Sequence, residues 1–179
     1  MSARLLFVGL VAMSPALSLR WAELPVLAVL LLALTTPARA EVIVAGWIER
    51  VRLMDAGVEV EAKLDSGAEN SSLHADELLE FERNGRPWVR FQLNNPDGAP
   101  VLFERPVVRT ARIKRHLGES QPRPVIELTL CIGGLARRVE INLVDRGNFQ
   151  YPLLVGRSFL SQGVLVDSAA RYRVPPTCA

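Results

Sequence analysis

Two histidines and two cysteines are the only nitrogen and sulfur donors that 179 residues set aside for a transition metal. They form neither H-E-x-x-H nor a C-x-x-C pair, so the usual spacings of a zinc site are missing. Lys and Arg number 21 against 19 Asp and Glu, a formal charge of +2, which excludes the strongly basic profile of a dedicated nucleic-acid binder. Aromatic residues make up only 6%, and none lies between Arg105 and Arg123, where basic residues are densest. That absence removes the stacking platform a single-stranded nucleic acid would need. No G-x-x-x-x-G-K-[ST] loop occurs, and no Ser stands in G-x-S-x-G.

The sequence also has no very long apolar run. Leu24 to Leu34 (LPVLAVLLLAL) has Pro25 near its start and is followed by Pro37 and then Ala38-Arg39-Ala40. A bilayer span needs about twenty apolar residues, so residues 1–40 read as a secretory leader with an A-x-A cleavage site; a retained anchor is the alternative. Cleavage would leave residues 41–179 as one domain, periplasmic or secreted and without stable membrane insertion. The leader removes three arginines and one glutamate, and the remainder is formally neutral. Cys131 and Cys178 both stay in the exported part, where an oxidising compartment permits a disulfide. Two free thiols are the other reading, since Cys178 falls on a tail expected to be mobile.

Residues 41–179 contain short β-branched runs broken by turn residues, which predicts a mostly β domain. Val42 to Leu53 and Val58 to Leu64 form a hairpin over Asp55-Ala56-Gly57, the second strand alternating cleanly. Trp88 to Leu93 and Val101 to Val108 form another across Pro96-Asp97-Gly98. Val125 to Ile132 and Val139 to Val144 make a third across Gly133-Gly134, with Cys131 opposite the Ile126, Leu128, Leu130 and Ile132 face. Two short helices are expected, Ala75 to Arg83 and Arg157 to Gln162. The basic stretch from Arg105 to Arg123 reads as a solvated loop or as a mobile cover over a cleft that attracts acidic peptide.

The chemistry concentrates in Ala62-Lys63-Leu64-Asp65-Ser66-Gly67-Ala68, where a carboxylate leaves an apolar strand and enters a tight turn. A hydroxyl at Ser66 can bond locally, and Gly67 permits close approach. Some ninety residues later Tyr151-Pro152-Leu153-Leu154-Val155-Gly156-Arg157-Ser158 repeats the theme of an apolar strand ending in a glycine, followed by a short amphipathic segment. Together these elements resemble the retropepsin-like aspartic proteases, in particular the bacterial group long labelled ATP-dependent zinc proteases. The likeness runs through AKLDSGAENSSLHA, RPVIELTL and DRGNFQYPLLVGRSFL and covers most of residues 42–174. Ser66 stands where that group more often has Thr, and Glu69-Asn70 replaces a more basic pair.

The resemblance implies a closed β-barrel, Asp65 as the catalytic residue, and an active-site loop shaped by Ser66, Gly67 and Ala68 and supported by Leu154, Val155, Gly156 and Arg157. It implies a structural ion pair at Arg157 and a flap, either the hairpin at Pro96-Asp97-Gly98 or the basic segment after Arg105. It also implies an association with glutamate-adding ATP-grasp ligases. Peptide hydrolysis by aspartates needs two carboxylates sharing one proton. Asp167-Ser168-Ala169 imitates the motif, but too little chain follows it to build a second lobe, and Asp145-Arg146-Gly147 reads as a turn. A homodimer that brings two Asp65 together on a two-fold axis completes the site without a second motif. The expected protein is therefore an exported aspartic endopeptidase acting on a peptide or protein substrate, with no cofactor and no metal. His74 reads as a hydrogen-bonded structural residue, His116 as exposed and Ser158 as a helix-start residue. An inactive periplasmic peptide-binding or assembly module of the same fold is the alternative.

Overall fold

The computed structural model describes residues 42–94, 98–113, 120–147 and 149–179. Residues 1–40, expected to be a leader, the Pro96-Asp97 turn and the Lys114-Arg115-His116 segment lie outside the described residues, and with them the choice of flap. Among the described residues no helix is long and apolar enough to cross a membrane.

Alternating burial drives the strands. β1 (Ile43–Leu53) turns at Gly57, whose φ of 66° suits a residue without a side chain, into β2 (Val58–Leu64). In β2, Val58, Val60, Ala62 and Leu64 are buried, and the intervening residues are partly or fully exposed. β3 (Ser71–His74) follows the Asp65 turn, then β4 (Asp76–Arg83), β5 (Arg86–Asn94) and β6 (Pro100–Pro106). β7 (Arg109–Ile113) pairs with β8 (Gln121–Ile132), which returns as β9 (Leu135–Val144). β10 (Leu153–Val155), α1 (Arg157–Leu160) and β11 (Val164–Arg171) complete the order.

Six strands close into a barrel, β1-β2-β10-β3-β9-β8, because β1 also pairs with β8 through Arg52 and Leu53 opposite Cys131 and Leu130. β11 and β7 extend this sheet beyond the closure, and β4-β5-β6 form a separate three-stranded sheet. The smaller sheet shares the barrel's core through Val89, Phe91, Leu93 and Phe103, all essentially inaccessible. Phe91 and Phe103 stack with ring centres 5.0 Å apart, and burying such a side chain contributes about 1.5–3 kcal/mol.

Three expectations need correction. Ala75 to Arg83 is not a helix: Asp76 to Arg83 is a strand. Its Leu, Glu and Arg residues are good helix formers, but Asn84 and Gly85 both adopt positive φ, 54° and 71°, and fold the segment back as a tight hairpin. Phe81 then pairs with Trp88, and the Arg83 guanidinium covers both rings. The basic stretch is not simply a loop, since Arg109–Ile113 forms a strand against residues 121–125. Third, the tail beyond Arg171 is pinned. Cys131 and Cys178 form a disulfide with Cα atoms 6.1 Å apart, and the Thr177 N–H donates to the Gly133 carbonyl. The short helix at Arg157 forms as expected, as does the turn at Gly133-Gly134.

Candidate active site

Parallel pairing sets Leu153, Leu154 and Val155 beside Ala62, Lys63 and Leu64, so β2 and β10 run side by side to the same end of the barrel. There the Asp65 N–H donates to the Val155 carbonyl (2.9 Å), and the Ala68 N–H closes the turn on the Asp65 carbonyl (3.2 Å). Beyond β10, the Arg157 and Ser158 N–H groups donate to the carbonyls of Ala68 and Glu69, both at 2.9 Å. The Asp65 loop is thus held along both arms by main chain that follows it by ninety residues.

Gly156 is the residue this closeness requires. A Cβ there would lie 2.7 Å from the Asn70 carbonyl group and 2.8 Å from the Glu69 oxygen, inside any real contact distance. Its own N–H donates to the buried Ser71 hydroxyl (3.1 Å), and the Asn142 side-chain amide donates to the Ser71 carbonyl (2.6 Å). The expected ion pair at Arg157 is not what the structure shows. Arg157 Nη1 donates to the Ser66 carbonyl at 2.8 Å, so a carbonyl in the loop takes the place of a carboxylate. Ser66 itself is exposed, and its carbonyl rather than its hydroxyl serves the loop. Ser158 does not start the helix either. The N-cap is Gly156, and the Ser158 hydroxyl is buried without a partner among the described residues.

Asp65 itself is partly exposed. Its Oδ1 accepts the Gly67 N–H at 2.9 Å, and its Oδ2 lies 3.3 Å from the Lys63 ammonium. Burial raises its pKa, but the Gly67 and Ala68 N–H groups and Lys63 outweigh that and hold the carboxyl below its ordinary value. Gly67 sits tight against this carboxylate, since a Cβ there would meet Oδ1 at 3.1 Å.

Asp65 opens onto a cavity of about 410 Å³ lined by Trp47, Lys63, Arg146, Phe149, Gln150, Tyr151 and Leu154. Asp65 is the sole carboxylate among these lining residues. Arg146 is 7% exposed; its Nε donates to the Tyr151 carbonyl and its Nη1 to the Ser72 hydroxyl, and its guanidinium lies over the Phe149 ring at 4.4 Å. No carboxylate among the described residues lies within 4.0 Å of it. Burial, and then the charge of Arg123, disfavour its charged form. Sequence reasoning missed Lys63 and Arg146. Lys63 was legible from the two-residue alternation that sets it on the same face as Asp65, whereas Arg146 looked like an ordinary turn residue.

A metal has one conceivable seat among the described residues, where ligand atoms of His74, Asp76 and Asp145 come within 4.8 Å of one another. Both ring nitrogens of His74 are already engaged. Nδ1 accepts the Arg146 N–H at 2.9 Å, which leaves Nε2 as the donor to Asp76 at 3.0 Å. The residues described here thus make His74 a hydrogen-bonded prop for the Asp145-Arg146-Gly147 turn.

A closed all-β barrel with one Asp-Ser-Gly loop braced by an apolar strand and a Gly-Arg pair defines the retropepsin-like class. The chain belongs to the RimB-like family, described as retropepsin-like aspartic endopeptidase RimB, whose model matches residues 44–177. It is 37% identical over 116 residues to a probable alpha-L-glutamate ligase of Shewanella pealeana, covering 63% of this chain and 25% of that protein. A probable alpha-L-glutamate ligase of Parasynechococcus marenigrum is 30% identical over 118 residues, covering 64% of this chain and 25% of its own length. The chain thus spans about a quarter of the curated relatives it matches. A solved structure of a Legionella pneumophila protein of unknown function superposes with a TM-score of 0.63 at 34% identity, over 73% of this chain and 96% of that one.

Proposed function

We propose that this protein is an aspartic endopeptidase that becomes complete when two chains pair, each contributing one Asp65. The observation that carries this reading is the braced Asp65 loop, which presents a single partly exposed carboxylate at a cavity lined by no second acid. Two such carboxylates on a two-fold axis share one proton, since like charges so close do not both ionise. The ionised one takes a proton from a water whose oxygen adds to the scissile carbonyl carbon. The protonated one then gives its proton to the amide nitrogen as the C–N bond breaks.

The substrate class we assign is acidic peptide. Lys63 and the buried Arg146 give the cavity two cations against one carboxylate, and the relatives of this chain carry the name of glutamate ligases. In those longer proteins we assign ligation to the three quarters outside the match, and hydrolysis to the part that resembles this chain. Export fits the Cys131–Cys178 disulfide, and the mature chain would begin at Glu41.

Digestion of an oligo-glutamate and an oligo-glutamine peptide with wild type and Asp65→Asn, alongside sedimentation to fix the assembly state, tests the reading. Cleavage by wild type alone, in a dimeric fraction, supports it. Undiminished cleavage by Asp65→Asn, or by a strictly monomeric protein, overturns it. Failure to cleave any peptide while still binding them would favour the binding module.

A further inference from the structure

Lys63 presents a difficulty that the pairing of two aspartates does not by itself resolve. Its ammonium lies 3.3 Å from Asp65 Oδ2, while Oδ1 is taken by the Gly67 N–H, so both oxygens of the carboxylate are engaged with donors. A carboxylate held in this way is a poor place for the shared proton of an aspartate pair. The other charged and titratable groups around it do not relieve this. Arg157 from α1 is turned to the Ser66 carbonyl, Arg146 and Tyr151 come from the segment after β9, and Arg171 from β11 lies over the Trp47 ring. Glu61, the next carboxylate on this face of β2, already accepts the Tyr172 hydroxyl at 2.5 Å.

The Lys63 side chain is 45% exposed and lines the same cavity as Arg146. An anionic group entering that cavity meets two cations and an apolar wall of Trp47, Phe149, Tyr151 and Leu154. We infer that Lys63 is a positioning residue, a displaceable cap on Asp65 that an acidic group of the substrate draws away, so that the arrival of the right charge frees the aspartate for its partner. The inference rests on the aspartic-peptidase reading and deepens it, because it makes the choice of substrate and the readiness of the site one event.

Its sign is definite. With Lys63 in place the ionised form of Asp65 is favoured, and with Lys63 withdrawn protonation becomes easier. Lys63→Gln should therefore move the pH profile of kcat/KM upward by about one unit. It should also reduce the preference for oligo-glutamate over oligo-glutamine by about tenfold or more. Lys63→Arg, which keeps a cation at the position, should restore both. A Lys63→Gln enzyme that is weaker on both peptides alike, with its profile unmoved, overturns the inference. Asp65→Asn run in parallel separates the two claims. If it still cleaves, the peptidase reading falls and this inference with it; if it is inert while Lys63→Gln behaves as wild type, only the cap is wrong. A readout independent of turnover and of the variant's folding is the carboxyl carbon resonance of Asp65 in the wild-type protein. Added free glutamate, which has no peptide bond to cut, should raise its titration midpoint and free glutamine should not, and an equal response to both overturns the cap.

Discussion

Two Asp-Ser pairs in this chain make the same local hydrogen bond, but one lies in a turn at a cavity and the other inside a strand. Asp65 and Asp167 each precede a serine, and each accepts the N–H two residues on at 2.9 Å. Each also has a cation beside it, Lys63 at 3.3 Å and Arg173 at 2.8 Å. What differs is the surrounding frame. Asp65 ends a barrel strand, where β10 and α1 bond its loop from the far side and a cavity opens in front. Asp167 lies within β11, a strand paired only to β1, with Gly46 across from it. A local motif thus supplies a carboxylate with a bent neighbour, while a tertiary frame decides whether that carboxylate faces a ligand or merely ties down an edge.

The widest gap between the two should appear in catalysis. Asp65→Asn is expected to lower peptide cleavage by about 10²–10⁴-fold with the far-ultraviolet dichroism unchanged, whereas Asp167→Asn should cleave like wild type. Equal losses in both variants would erase the distinction. Next comes the bridge that pins the tail following Asp167. Replacing Cys131 and Cys178 together by Ser removes a loop closure of 47 residues and should lower the unfolding free energy by on the order of 2–4 kcal/mol in urea titration. Cleavage measured well below the melting transition should survive, since the bonds that hold the Asp65 loop among the described residues come from Val155, Arg157 and Ser158 rather than from that tail.

A smaller effect separates two glycines. Gly156→Ala drives a methyl into the Asn70 and Glu69 backbone and should cost about 1–3 kcal/mol together with much of the turnover. Gly134→Ala, whose new atom would meet only the Thr177 hydroxyl at 3.8 Å, should fall within about 0.5 kcal/mol of wild type. The smallest effect is in acid. The folded chain holds the Asp65 carboxyl below its unfolded value, so its contribution is present above about pH 4 and fades as pH falls through the lower folded value. In dilute, monomeric protein the melting-temperature difference between wild type and Asp65→Asn should therefore shrink from about pH 6 to about pH 2.5. A difference that widened toward acid would reverse the assignment of what surrounds Asp65.

Much of the barrel was legible because half-buried strands alternate. Residues 58–64 and 125–132 declare their faces, and the Asp65 turn and the Gly156-Arg157 pair stand out by spacing. β4 was not, because Asp76 to Arg83 has the composition of a helix and only its partner β5 shows otherwise. The signal that could have found it was Asn84-Gly85, a tight-turn pair next to the segment. β3, four residues long, carries too little periodicity to announce itself, and β10, three residues long, was legible through the resemblance alone, yet both complete the closure. The disulfide could not be decided either, since pairing depends on where a tail of eight residues packs. At the site, the carboxylate and its braces were readable. The carbonyl partner of Arg157 and the burial of Arg146 were not, because both depend on which backbone atoms the closed barrel brings near.

The main-chain bonds from Val155 and Arg157 to the Asp65 loop also set an order of events during synthesis. Asp65 leaves the ribosome first, and the groups that hold its turn are made ninety residues later. An unfinished product ending before Val155 has the aspartate without the frame, so in incomplete chains the Asp65 turn lacks the bonds that shape it.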